Sequence, residues 1–198
     1  MSEEILINVT PRETRVALVE NGVLQEIFIE RARRRGLVGN IYLGRVCRVL
    51  PGMQAAFVDI GLERAAFLHA SDIVTRLPGN GDADAGSSGV EDISSLLREG
   101  QEITVQVIKD PLGTKGARLT TQVTIPSRFL VFIPRVSNVG ISQKIEDEAE
   151  RIRLRDLIQL FMSEDESGGY IARTAAEGAS AEALRADMIF LRKLWTSI

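Results

Sequence analysis

Two phenylalanines, a loop lysine and an arginine–threonine pair are the residues of this 198-residue chain whose types and spacing could do chemistry. Phe57 and Phe67 lie in GMQAAFVDIGLERAAFLHASDI, on two predicted strands with Gly61 turning the chain between them. Aromatic rings on neighbouring strands of an open sheet face can stack unpaired bases, each stack worth about 1–3 kcal/mol. The same spacing serves equally for two rings filling a barrel interior, because a period of two does not say which face is inside. Lys115 sits in GTKG, a loop cation. Arg173 and Thr174 follow a predicted strand in IARTAAEG. The arginine brings a planar fork suited to bidentate phosphate capture, which lysine does not reproduce. Thr174 adds a hydroxyl and a backbone N–H. Such a pocket fits one terminal phosphate dianion, and a triphosphate would be crowded there. Arg-Thr after a strand is nevertheless too common to carry that reading alone.

Other chemistries are poorly supplied. Cys47 is the sole cysteine and His69 the sole histidine, too few for a Cys/His zinc site and incompatible with a disulfide framework. Asp59 and Asp72 do not form a convincing catalytic pair of carboxylates. The net charge of −3 argues against an indiscriminately basic polyanion binder, though not against a local one. Arg31 to Arg35 form the densest basic run, which taken alone reads as a solvated surface. Acidic residues gather elsewhere, at Asp82, Asp84, Glu146, Asp147, Glu148, Glu164, Asp165 and Glu166. The start MSEEILINV lacks the build of a secretory signal and no apolar run is long enough for a bilayer, so no membrane and a cytoplasmic setting are expected.

The elements that must position these residues fall into three stretches. Ile5–Val9, Thr14–Glu20 and Val23–Glu30 read as a β-meander with one polar face, its second turn marked by Asn21-Gly22. Three strands alone are poorly stable and need something to pack on. From residue 36 to 124, five short strands are predicted: NIYLGRVCRVL, MQAAFVDIG, ERAAFLHAS, the cleanly alternating QEITVQVIKD, and GARLTTQVTI. A loop rich in Gly, Asp and Ser (Leu77 to Gly89) and a short helix capped by Asp92 and stopped by Gly100 come after the third. That order is the one expected of an oligonucleotide-binding barrel. Beyond Pro126 come a buried strand in RFLVFIP, an amphipathic helix over Glu146 to Phe161, a strand in GGYIARTAA and a last helix capped by Ser180. Apolar Ile152, Leu154, Leu157, Ile158, Leu160 and Phe161 form the face of the first helix. Leu184, Met188, Leu191 and Trp195 read as core packing on the second.

The run VGNIYLGRV…LPGMQAAFVDIGLERAAFLHASDI…EGQEITVQV resembles the S1 RNA-binding domain. The flanks ILINVTPRETRVALVENGVLQEI, KDPLGTKGARLTT, IPSRFLVFIP, VGISQKIE and IARTAAEGA resemble the N-terminal part of the ribonuclease E/G family, across essentially the whole chain. The resemblance implies an α+β chain. A five-stranded oligonucleotide-binding-fold (S1-type) barrel, 36–124, would be inserted between the meander of an RNase H-like subdomain, 1–35, and an α/β 5′-sensor subdomain, 125–198. It implies that Phe57, Phe67 and Lys115 contact single-stranded RNA. It also implies that Arg173 and Thr174, helped by the main chain at Val131, bind a 5′-monophosphate. Gln143-Lys144 departs from the family, members of which carry two arginines there, and both are expected outside direct contact. The implied activity is a magnesium-dependent, single-strand-specific endoribonuclease of messenger RNA decay and ribosomal RNA maturation. The whole enzyme would be a homodimer or higher oligomer, with zinc linking protomers. The magnesium and zinc ligands of the family lie in later sequence, so this chain, read as an N-terminal fragment, is expected to be inactive alone. Two rivals remain on the residues: a stand-alone RNA-binding module without nuclease activity, and an adaptor whose aromatic face takes a peptide.

Overall fold

The structure, a computed structural model, describes residues 2–74, 91–134, 136–162 and 168–198. The glycine-rich loop Leu77 to Gly89 and the acidic residues Asp82, Asp84, Glu164, Asp165 and Glu166 lie outside the described residues. The chain divides into one unit ending at Leu37 and a second beginning at Val38.

The first unit is the expected meander, β1 (Glu3–Val9), β2 (Glu13–Glu20) and β3 (Val23–Arg31), in that order and antiparallel. Asn21 (φ 51°) and Gly22 (φ 79°) make the two-residue turn, in which Glu20 faces Val23. Both angles are positive, as a hairpin turn matched to the strand twist requires. The expectation of one polar face is corrected. Residues opposed across an antiparallel pair share a face. The register therefore sorts Ile5, Ile7, Val16, Leu18 and Phe28 to one side, and Leu6, Ala17, Ile27 and Ile29 to the other. Both sides are apolar, with Ile7 65% and Phe28 59% exposed on the first and Leu6 and Ile27 each 55% exposed on the second. The basic run is solvated where described; Arg31 and Arg35 stand 3.5 and 3.9 Å from the carboxylates of Glu13 and Glu30.

In the second unit, β4 (Ile41–Leu50), β5 (Ala55–Asp59), β6 (Ala66–His69), β7 (Glu102–Lys109) and β8 (Arg118–Thr120) close into a barrel in the order β4-β5-β6-β8-β7. Only β6 and β8 run parallel. The short helix α1 (Ile93–Leu96) comes after the third strand and is capped by Asp92, whose carboxylate accepts from the Ser94 amide. This is the five-stranded order expected from the sequence. Val46, Ala56, Val58, Ala66, Leu68, Val105, Val107 and Leu119 fill the interior. The alternation expected of QEITVQVIKD breaks at Gln106, which is buried between Val105 and Val107. Its amide nitrogen donates to the carbonyls of Gly39 and Thr124, and its oxygen accepts from the Thr124 amide, so the chain's exit from the barrel is tied to β7. Full satisfaction is what lets a polar side chain stay there. Gly116 leads into β8 with its backbone against that of Ala65, where a Cβ would lie 2.0 Å from the carbonyl oxygen. Gly116→Ala is therefore expected to cost about 1–3 kcal/mol through overpacking, read from the midpoint of urea unfolding.

The remainder is a four-stranded sheet, ordered β11 (Val139–Ile141), β12 (Gly168–Ala172), β10 (Leu130–Pro134), β9 (Ile125–Pro126). Two helices complete the lobe, α2 (Glu148–Phe161) and α3 (Ala181–Ser197). Leu130, Phe132, Tyr170, Leu154, Ile158, Leu184, Met188 and Leu191 form its core, with Trp195 packed against it. The helical face of α2 is narrower than the sequence suggests: Ile152 is 47% and Leu160 74% exposed. β11 has no counterpart in the sequence reading because VGI is only three residues long, too short for periodicity to register.

A carboxylate binds α2 to the turn before α3. Glu150 accepts two hydrogen bonds of 2.6 Å from the Arg153 guanidinium and one of 2.9 Å from the Gly178 amide. The Arg153 bonds, with a smaller contribution from that amide, hold its carboxyl well below the usual 4.5, at about 2. A depressed folded-state value means that stability is fully present above the unfolded value of 4.5 and is lost as pH falls from there towards about 2. The urea midpoint should accordingly fall more steeply over that window in the wild type than in Glu150→Gln, which lacks the titrating group.

Candidate nucleic-acid interface

The barrel face resolves the choice left open for the two rings. Ala56, Val58, Ala66 and Leu68 point inward and are fully buried, which turns Phe57 and Phe67 outward. Both rings are half-buried and meet edge to face, with centroids 6.2 Å apart and planes at 68°. They belong to a longer row. The register opposes Arg48 to Phe57, Phe57 to Phe67, Phe67 to Arg118, and Arg118 to Lys109, one residue from each of the five strands. Two irregularities of register make that row. One, between Val46 and Arg48, leaves Cys47 out of pairing; the other, between Val107 and Lys109, leaves Ile108 out. A bulge adds one residue and re-aims the side chains beyond it. In this barrel, each brings a cation into line with the rings.

Arg118 is held by Asp72, with Nε and Nη2 each 2.9 Å from one carboxylate oxygen. His69, at the end of β6, tilts its ring toward Phe67 at 6.5 Å, and its Nδ1 accepts from the Ser71 amide. Lys115 is exposed in a turn closed by hydrogen bonds between Leu112 and Lys115. The Arg64 guanidinium donates to Gly113 in that turn, and two residues past Lys115 the Ala117 carbonyl accepts from the Phe67 amide. Of the residues singled out in the sequence, the structure places Phe57 and Phe67 in the row and Lys115 in the turn that precedes β8, and it sets Arg48, Lys109, Arg118 and His69 around the rings. Only the register unites the cations with the rings, and a lone histidine in a sequence suggests a metal ligand before it suggests a neighbour for an aromatic ring.

The second candidate site lies at the carboxyl ends of β11 and β12, which are parallel neighbours. Such ends leave a crevice in which ligands commonly bind. Ser142, Lys144, Ile171, Ala172, Arg173, Thr174 and Ala175 line a concavity of about 340 Å³. The Ser142 amide donates to the Ala172 carbonyl (2.9 Å), bringing the Ser142 and Thr174 hydroxyls within 3.2 Å. Arg173 and Thr174 are both exposed. Val131 lies on β10 opposite Ile171, one strand across, and does not itself line the concavity. Lys144 does line it, while Gln143 does not, so the two residues expected to share a fate are separated. A larger concavity of about 540 Å³, whose lining includes Leu43, Ile103, Val123, Gln101, Glu102 and Trp195, holds none of these candidates.

Residues 124–198 match the model of the Ribonuclease E/G family, and residues 37–122 match the S1 RNA binding domain. The chain is 61% identical over 195 residues to Ribonuclease G of Haemophilus influenzae, covering 98% of this chain and 39% of that protein. It is 58% identical over 198 residues to Ribonuclease G of Escherichia coli (strain K12), covering 100% and 40%. The chain belongs to the ribonuclease E/G family. Ribonuclease E of Escherichia coli (strain K12) is a more distant relative, 39% identical over 199 residues, covering 99% of this chain and 18% of that protein. This ribonuclease E/G chain thus spans about 40% of the length of the Ribonuclease G relatives it matches. Its barrel, with the closed five-strand order, coincides with the S1 match. Among the described residues of this ribonuclease E/G chain, no helix is long and apolar enough to cross a membrane.

Proposed function

We propose that this chain is the RNA-recognition portion of a single-strand-specific endoribonuclease, gripping RNA on the barrel and reading its 5′ end in the adjoining lobe. The row Arg48–Phe57–Phe67–Arg118–Lys109 carries the proposal. Two rings for base stacking, flanked by cations for phosphate, suit a strand whose bases are unpaired, because a duplex hides the faces the rings need. Lys115, exposed in the turn before β8, would offer a further cation to the phosphates. At the β11–β12 crevice, the Arg173 guanidinium, the Thr174 hydroxyl and the Lys144 ammonium would meet a terminal phosphate dianion, with the β10 main chain around Val131 supporting the strand they extend. A dianion is favoured over a hydroxyl because charge-assisted hydrogen bonds are the stronger kind.

In the longer protein the meander would belong to an RNase H-like subdomain, whose other layers would cover both apolar faces. The whole enzyme would act in messenger RNA turnover and ribosomal RNA maturation, as a homodimer or higher oligomer. In that longer protein magnesium would serve hydrolysis and zinc would join protomers; among the described residues of this chain, no three His, Cys, Asp or Glu side chains lie together. The test is titration of the chain with one short unstructured oligoribonucleotide carrying either a 5′-monophosphate or a 5′-hydroxyl. Tighter binding of the phosphorylated form, with both affinities weakening as salt rises, is the expected result. Salt-independent binding would instead point to a surface that does not read polyanions.

A further inference from the structure

We infer that Asp187, on α3, is a positioning residue that sets the direction of the Arg173 guanidinium and hence the selectivity for a 5′-phosphate; the inference rests on the proposed phosphate pocket. Arg173 is not held by its own strand alone. Its amide donates to the Phe129 carbonyl (2.8 Å), and its Nη1 donates to the Ser127 carbonyl. Both acceptors belong to one tight turn, in which the Ser127 amide donates to the Leu130 carbonyl at 2.8 Å. That turn leads into β10 and would otherwise have two backbone donors directed at nothing. Asp187 supplies the acceptor. A single carboxylate oxygen, Oδ2, takes the amides of Phe129 and Leu130, each at 3.0 Å, and the Ser127 hydroxyl as well.

The chain of dependence is short. The carboxylate fixes the turn, the turn fixes the Ser127 carbonyl, and that carbonyl restrains one end of an otherwise exposed guanidinium. A guanidinium carries five N–H donors in a rigid fork. Anchoring it through Nη1 leaves the edge formed by Nε and Nη2 to face a ligand in a single orientation. An exposed arginine without such an anchor would spread over many rotamers, and the ligand would have to order it on binding. Sites that discriminate are held to within about half an ångström by a supporting shell, and that shell here comes from a helix distant in sequence from the turn it secures. Nothing in ADMIF marks Asp187 for this role in the sequence, where it reads as an ordinary polar position beside the buried Met188.

The test compares the affinity ratio for 5′-monophosphate over 5′-hydroxyl RNA in this chain, in Arg173→Ala, and in Asp187→Ala, Asp187→Asn and Asp187→Glu. Asp187→Ala should lower the ratio about tenfold or more while leaving the 5′-hydroxyl affinity unchanged. Asp187→Asn, which keeps an oxygen for the two amides, should recover most of it. Asp187→Glu keeps the charge but displaces it by a methylene, so it should lose the ratio too; it decides the matter if the alanine variant does not fold. A wild-type ratio in a cooperatively folding Asp187→Ala or Asp187→Glu overturns the inference while leaving the pocket standing. Equal losses for both 5′ ends also overturn it, since they mark a purely structural role. If Arg173→Ala keeps the wild-type ratio, the pocket reading fails and the inference falls with it.

Discussion

Replacing Phe57 and Phe67 together by alanine should weaken binding of an unstructured oligoribonucleotide by about 2–6 kcal/mol, whichever group the RNA carries at its 5′ end. The range comes from about 1–3 kcal/mol per stacked base on each of two outward rings. The value should fall below the sum of the single substitutions. The rings touch edge to face at 6.2 Å, so removing one already loosens the other, and neighbours in contact do not act additively. Neither alanine should cost the fold much, because the barrel interior is filled by Ala56, Val58, Ala66 and Leu68 instead. Isothermal titration of the singles and the double, with urea unfolding alongside, separates lost grip from lost structure. A double variant that binds as well as the wild type would remove the barrel face from the RNA path.

Arg173→Ala should abolish most of the preference for a 5′-monophosphate, lowering it by roughly a hundredfold or more, while leaving 5′-hydroxyl RNA bound as before. Two charge-assisted hydrogen bonds to a dianion are worth about 1.5–3 kcal/mol each, and one guanidinium edge can make both. Arg173→Lys should recover only part of this, since a point charge lacks the fork. The dependence of 5′-monophosphate binding on salt should also flatten, by about one unit of slope for the lost cation. If the arginine and phenylalanine variants behave alike towards the two RNAs, the chain has one binding surface and not two.

Much of this is legible in the residues. The five-strand order, the capped helix after the third strand and the Asn21-Gly22 hairpin come from periodicity and turn chemistry, which are local. What escapes is non-local. Arg48 and Lys109 join the aromatic row only because bulges at Cys47 and Ile108 shift the register, and a bulge leaves no mark in composition. Ser142 and Lys144 join the concavity beside Arg173 because a three-residue strand runs parallel to β12, a pairing between segments some thirty residues apart. Gln106 breaks an alternating pattern because its partners, Gly39 and Thr124, lie far away along the chain. The second apolar face of the meander is hidden for a simpler reason. Its residues, Leu6, Ala17, Ile27 and Ile29, share that face with Glu4, Asn8 and Arg15, which make it read as the polar side.

That double-sided ribbon has a consequence for anyone handling the protein. A sheet greasy above and below offers water two oily plates bordered by the edge backbone of β1 and β3. Concentrated stocks would tend to cloud through stacking and edge-to-edge growth, and mild detergent or a serine at Ile7 and Ile27 would be the first remedy at the bench.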